Sequence, residues 1–267
     1  MNHSALAYDQ PSVLAVVFHP RPEGALDARG FERLTVPVGD GITLGGRFYA
    51  AGTNNPTILF FHGNGEIVAD YADLAPLFTR MGINFLPMDY RGYGRSTGSP
   101  TVTTMLTDAH AALAYSRQWL ADHGYAGRLV VMGRSLGSAP ALELAAAHTN
   151  EIAALIIDSG FSDALALVQR LGWRQAGSPG MTDTLFRHGE KIRQYHGPTL
   201  IIHGTQDMII PVSDAQALHQ ASGSATKRLL LIRGAGHNDL LSVGLNEYFQ
   251  AVAQIALGGT KAAPGGK

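Results

Sequence analysis

The strongest chemical signature in the chain is Gly133-Arg134-Ser135-Leu136-Gly137. It fits G-x-S-x-G, a pattern that carries weight only where a strand runs into a sharp turn and a helix leaves it. That setting is present. Leu129-Val130-Val131-Met132 is a short apolar run that reads as a buried strand, and Ala141-Leu142-Glu143-Leu144-Ala145-Ala146-Ala147 reads as a helix. A serine at the apex of such a turn is lifted clear of the sheet in a strained backbone conformation. The flanking glycines avoid collisions that side chains would cause there. Ser135 is therefore the candidate nucleophile. A second match, Gly94-Arg95-Ser96-Thr97-Gly98, lies between Tyr90-Arg91-Gly92-Tyr93 and Ser99-Pro100. No strand enters it directly and no helix leaves it, so Ser96 reads as a loop residue.

A serine hydroxyl is a poor nucleophile at neutral pH and needs an adjacent base, itself oriented by a third group. Two later segments offer these. Asp207 closes His203-Gly204-Thr205-Gln206-Asp207, after the apolar run Pro198 to His203. His237 lies in Gly234-Ala235-Gly236-His237-Asn238-Asp239, after the run Lys227 to Ile232. In a parallel sheet, ligand chemistry collects at the carboxyl ends of strands, which is where all three residues stand. Each has a rival reading. Asp158 also ends a strand and is the runner-up acid. Asp207 has the alternative of capping the helix after Pro211, where Ser213 serves better. His62 reads as a structural tie, Asp89 and Arg91 as loop-ordering groups, and Asp239 as a cap of the final helix, alone or with Asn238. No His, Asp or Glu cluster has convincing metal-ligand spacing, so no metal is expected, and nucleophilic serine chemistry needs no organic cofactor.

The elements that must position these residues follow from the apolar pattern. Leu34 to Val38 and Ile42 to Tyr49 flank Gly39-Asp40-Gly41, a hairpin signal. Thr57 to Phe61, Ile83 to Asp89, Leu129 to Met132, Ala154 to Asp158, Pro198 to His203 and Lys227 to Ile232 read as strands, with helical stretches between them. The early stretches carry Leu74, Leu77 and Phe78, then Leu106, Ala109, Leu113 and Leu120; the last carries Leu240 to Val252. Strands alternating with helices imply right-handed crossovers and an α/β fold: a mostly parallel sheet with helices on both faces and an antiparallel N-terminal edge. Residues 1–30 are expected as an N-terminal arm, with Phe18 to Pro22 extended. Residues 31–257 are expected as one domain and 258–267 as a disordered tail. Residues 160–197 hold either a small helical insertion near the mouth of the site or an ordinary crossover helix with a long loop.

Composition narrows the partners. The 267 residues are 45% hydrophobic and 15% charged, with net charge −1. This suits a globular protein and argues against nucleic acid or an anionic membrane as main partner. The absence of cysteine excludes disulfides and thiolate chemistry and fits the cytosol, the expected location. No run approaches the roughly 20 apolar residues of a membrane span. The apolar run Val13 to Phe18 is short, is preceded by Asp9 and Pro11, and has no basic lead-in, so no targeting segment is expected.

His62-Gly63-Asn64-Gly65, Asp89 to Ser96, Gly133 to Gly137, His203 to Asp207 and Gly236-His237-Asn238-Asp239, in that order, resemble the α/β-hydrolase superfamily. More narrowly they resemble the serine hydrolases of the BEM46 and ABHD13/ABHD17 group. The resemblance spans roughly Leu34 to Phe249. It implies an α/β-hydrolase fold and a Ser135-His237-Asp207 triad. With position, it assigns an oxyanion hole to the backbone N–H groups of Leu136 and Asn64. The implied activity is hydrolysis of a small-molecule carboxylic ester or thioester through an acyl-enzyme. Alternatives are a serine peptidase and a non-catalytic binding protein of the same fold. Tyr93, Phe161, Leu165, Trp173 and Phe186 are the candidates for shaping the substrate pocket.

Overall fold

The computed structural model describes residues 8–24, 30–173 and 186–259. Among them lie eight strands: β1 (Glu32–Gly39), β2 (Ile42–Phe48), β3 (Thr57–Phe61), β4 (Asn84–Met88), β5 (Leu129–Arg134), β6 (Ala154–Asp158), β7 (Thr199–Gly204) and β8 (Lys227–Ile232). They form one sheet in the order β1-β2-β4-β3-β5-β6-β7-β8. From β4 to β8 the pairing is parallel throughout. The β1–β2 hairpin is antiparallel, and β2 pairs antiparallel with β4.

The strand sequences account for this arrangement. Every residue of β3, β4, β6 and β7 is buried. Strands covered on both faces read as unbroken apolar runs rather than alternating ones. At the edge, β1 buries only Leu34 and Val36 fully. Asp40 and Gly41 have φ of 52° and 71°, the positive values that a two-residue hairpin turn demands. The β1 register shifts between Pro37 and Gly39, and an edge strand is where a proline without an N–H is tolerated.

The helices are α1 (Pro11–Val17), α2 (Ala75–Arg80), α3 (Val102–Asp122), α4 (Ser138–Ala147), α5 (Ala164–Arg170), α6 (His188–Gln194), α7 (Val212–Ala221) and α8 (Leu240–Ala256). Because successive strand side chains point to opposite faces, the core divides in two. Leu59, Phe61, Val131, Leu155 and Ile157 pack with Leu113 of α3, Leu142 of α4 and Leu218 of α7. Ile58, Phe60, Val130, Met132 and Ile156 pack with Phe78 of α2 and Val252 of α8. Among the described residues, no helix is long and apolar enough to cross a membrane.

The N-terminal segment holds a helix ahead of its extended stretch. It contains α1, and Tyr8, Val13, Val17 and Phe18 are buried in the same cluster as α3 and α4. The extended stretch follows α1 and bridges in parallel to the Tyr90–Ser96 loop through Pro22 and Gly94. Ser213 does not cap its helix. It lies within α7, whose N-cap is Pro211. The expected arm falls partly on residues 1–7 and 25–29, the insertion-or-loop segment partly on 174–185, and the tail mostly on 260–267. All of these lie outside the described residues.

Ile156 at the centre of β6 is fully buried. Ile156→Val should cost about 0.5–1.5 kcal/mol and Ile156→Ala about 2–5 kcal/mol in equilibrium denaturation. Equal, small losses for both variants would contradict the two-faced core.

Candidate active site

The turn after β5 is built by close backbone packing. Ser135–Gly137 form a single 3-10 turn that leads straight into α4. Ser135 has φ 52°, a left-handed conformation that costs a non-glycine residue about 1–2 kcal/mol. A Cβ on Gly133 would lie 2.0 Å from the Gly137 carbonyl oxygen, and one on Gly137 would lie 2.1 Å from that of Phe61. The turn can close against β3 only because both positions lack side chains. Ser138 Oγ donates to the Ser135 carbonyl at 2.7 Å and holds the first step of the helix.

Three strand ends converge here. His237 Nε2 lies 2.9 Å from Ser135 Oγ, and His237 Nδ1 lies 2.7 Å from Asp207 Oδ2. All three residues are buried, with 9% or less of their surface exposed. The other Asp207 oxygen, Oδ1, accepts from the N–H groups of Ile209 and Ile210 at 2.9 and 2.8 Å. His203 Nε2 donates to the Ile210 carbonyl at 2.7 Å and lies 3.3 Å from Asp207 Oδ2. Burial alone would raise the Asp207 carboxyl, but hydrogen bonds from His203 and His237 outweigh it and hold the group well below the usual carboxylate range. An anionic Asp207 fixes the proton of His237 on Nδ1, which leaves Nε2 as an acceptor facing the Ser135 hydroxyl. Chemically, such an arrangement can draw a proton from a serine and return it to a leaving group.

The rival acid is placed elsewhere. Asp158 accepts from Ser159 Oγ at 2.9 Å and from the Tyr248 hydroxyl at 2.8 Å, so its carboxylate is occupied away from the imidazole. Asp207 does not cap α7; it organises the loop before it. Asp239 occupies the N-cap position of α8, but its Oδ1 accepts from the Gly236 N–H rather than from the helix, so it braces the His237 loop. Ser96 sits in a loop and accepts from the Gly45 N–H.

Asn64 and Leu136 line one cavity of about 200 Å³ together with Ser135 and His237. The Asn64 side chain is fixed: its Oδ1 accepts from the His19 N–H at 2.9 Å and from the Tyr93 hydroxyl at 2.8 Å. His62 Nδ1 lies 2.8 Å from the Gly63 carbonyl, and Nε2 lies 3.3 Å from Asp89. Asp89 in turn accepts from the Val68 N–H, while Arg91 makes two hydrogen bonds to Asp108. These residues order the loops around the site.

Much of the cavity wall is apolar. Phe161 and Phe186 line it, as expected, with Val17, Leu167, Val168 and Ile210. Tyr93 and Trp173 do not: the Tyr93 hydroxyl serves Asn64, and Trp173 Nε1 donates to Ser12 Oγ at 3.3 Å. Leu165 is also absent from the wall, where its neighbours Ala164 and Leu167 stand. Sequence reading overlooked Val17, Glu66 and Arg134, which also border the cavity. For Glu66 and Arg134 the available signal was a pair of opposite charges, one in the loop after β3 and one at the end of β5, usable only once β3 and β5 are known to be neighbours. Among the described residues, no group of three or more His, Asp or Glu is arranged to hold a metal ion.

The left-handed Ser135 backbone predicts an ordering of stabilities. Ser135→Gly should be more stable than Ser135→Ala by about 1 kcal/mol: relief of roughly 1–2 kcal/mol of strain exceeds the roughly 0.5–1 kcal/mol entropic cost of glycine. A Ser135→Ala variant as stable as Ser135→Gly would show that no strain is stored there.

Comparison with known proteins agrees with the fold. Residues 52–169 match a family model described as "Serine aminopeptidase, S33" (Hydrolase_4). An uncharacterized protein of Mycobacterium tuberculosis is 31% identical over 210 residues, covering 77% of this chain and 72% of that protein. Human alpha/beta hydrolase domain-containing protein 17B is 32% identical over 207 residues, covering 74% of this chain and 65% of that protein. Protein bem46 of Schizosaccharomyces pombe is 29% identical over 235 residues, covering 84% and 76%. Among solved structures, the Pyrococcus furiosus esterase Pf2001 superposes with a TM-score of 0.73 at 18% identity, covering 91% of this chain and all of that one. The chain belongs to the α/β-hydrolase superfamily, in its BEM46/ABHD group.

Proposed function

We propose that the protein is a serine hydrolase that cleaves carboxylic ester or thioester bonds through an acyl-enzyme. The observation that carries this reading is the continuous hydrogen-bond path from Ser135 Oγ through His237 to Asp207, at 2.9 and 2.7 Å. Ser135 Oγ attacks the substrate carbonyl carbon while its proton passes to His237 Nε2. The negative charge that builds on the carbonyl oxygen is met by the N–H groups of Leu136 and Asn64; losing one such donor typically costs about 10²–10³ in rate. Collapse expels the alcohol or thiol, which takes the proton from His237. Water, deprotonated by the same imidazole, then attacks the ester on Ser135 and releases the carboxylic acid. No step needs a metal or an organic cofactor.

The apolar wall of Phe161, Phe186, Leu167, Val168 and Ile210 suits an uncharged, apolar acyl group. The matched family's description includes aminopeptidase, and an aminopeptidase needs an unpaired carboxylate to hold a free α-amino group. Of the carboxylates bordering the cavity, Glu66 is engaged by Arg134. That favours the ester or thioester reading over the peptidase one.

A fluorophosphonate probe should label Ser135, and Ser135→Ala should abolish both labelling and hydrolysis of p-nitrophenyl esters. Asp207→Asn should lower kcat by about 10⁴-fold, since it leaves the imidazole in the wrong tautomer. Amide substrates turned over faster than esters would reverse the choice of substrate class. Undiminished labelling of Ser135→Ala would remove the serine from the mechanism.

A further inference from the structure

Arg134 is the last residue of β5 and stands next to Ser135 in the chain. Its side chain is mostly shielded, with 17% exposed. One of its nitrogens, Nη2, donates to the His237 carbonyl at 2.9 Å and lies 3.3 Å from Asn238 Oδ1. The other, Nη1, pairs with Glu66 Oε1. Glu66 Oε2 then accepts from the Gly63 N–H at 2.7 Å and from the Tyr71 hydroxyl. A single guanidinium thus joins the nucleophile strand, the loop that carries His237 and the loop that carries Asn64.

We propose that Arg134, acting with Glu66, is a positioning residue that holds the His237 and Asn64 loops in register with Ser135. The inference rests on the serine-hydrolase reading and deepens it. Neither residue reacts; both act through the groups they hold.

Three features make this more than an incidental ion pair. First, Arg134 bonds to the backbone of His237 itself, so displacing that bond moves the imidazole relative to both Ser135 and Asp207. Second, a Cβ on Gly63 would lie 2.8 Å from Arg134 Nη1 and 2.9 Å from Glu66 Oε2. The loop bearing Asn64 therefore packs so close to the pair that a side chain at Gly63 would have to displace it. Third, the geometry uses the arginine fork: two nitrogens address two loops at once, which a lysine ammonium on its flexible stem cannot reproduce. Burial disfavours the charge on Arg134, but Glu66 and then Asp158 more than offset this, so the guanidinium stays ionised.

The test compares full-length wild type with Arg134→Met, Arg134→Lys, Glu66→Gln and the Arg134→Met/Glu66→Gln double variant, each checked for folding by thermal melting. With p-nitrophenyl butyrate, Arg134→Met should lose about 10²-fold in kcat, the scale of a small misplacement of reacting groups, with KM within about threefold of wild type. Arg134→Lys should recover part of that loss, because it keeps the charge but not the fork. The double variant should be no worse than Arg134→Met by more than about threefold, since the two substitutions break the same link. A kcat within about threefold of wild type in folded Arg134→Met, or a loss confined to KM, overturns the proposal. If Arg134→Met does not fold, Arg134→Lys and Glu66→Gln decide by the same kcat-against-KM criterion.

A second readout does not depend on turnover. The far-downfield proton resonance of His237 Nδ1–H, bonded to Asp207, should be sharp in wild type and lost to exchange in Arg134→Met. Wild type inert to both ester and fluorophosphonate would sink the hydrolase reading. The resonance would still decide the positioning role: loss in the variant supports it, and an unchanged signal overturns it.

Discussion

The arrangement depends on the close approach of the Ser135 turn to the end of β3. Because a Cβ on Gly137 would collide with the Phe61 carbonyl, and one on Gly133 with that of Gly137, Ser135 is held by packing on both sides. Its left-handed backbone persists because the packing around it admits no other path. The same contact fixes which loops can reach the serine. β3 pairs with β5 in register from Thr57–Leu129 to Phe61–Gly133, so the loop after Phe61 emerges directly beside Ser135. The donor assigned to Asn64 and the serine are thus neighbours by sheet register rather than by loop flexibility.

Around that turn lies a polar floor inside an otherwise apolar core. Glu66, Asp158, Tyr71 and Tyr248 surround Arg134, and burial pushes both tyrosine hydroxyls well above their ordinary pKa. They therefore remain protonated and donate to Glu66 and Asp158 respectively. Buried polar groups cost most when unpaired, and a satisfied network rigidifies its surroundings. On the other flank, Asp207 accepts two backbone N–H bonds through one oxygen and faces two imidazoles through the other. Rigidity is thereby concentrated where an imidazole must pass a proton between two partners without moving far.

Much of this was legible in the sequence, for identifiable reasons. Thr57–Phe61 and Ala154–Asp158 are apolar at nearly every position because parallel strands are covered on both faces. Asp40-Gly41 fixed the hairpin through backbone preference alone. Ser135, Asp207 and His237 stood out because each follows such a strand, and the structure brings them together. What escaped notice depends on pairings across the sheet. Arg134 and Glu66 are 68 residues apart, and nothing local marks them as partners. Asp239 has the sequence position of a helix cap, but the nearer Gly236 N–H takes its carboxylate. Ser213 has the residue type of a cap, but the helix begins at Val212, directly after Pro211, which places Ser213 inside its first turn. Trp173, a candidate for the pocket wall, instead turns its indole N–H toward Ser12 of α1.

The most direct test of the central claim is mass spectrometry of the protein quenched during turnover of a slowly hydrolysed ester. The account predicts one acyl adduct, of the mass of the substrate's acyl group, on the peptide containing Ser135, and its disappearance as substrate is exhausted. Steady hydrolysis with no adduct on that peptide, or with the acyl group on any other side chain, would contradict it.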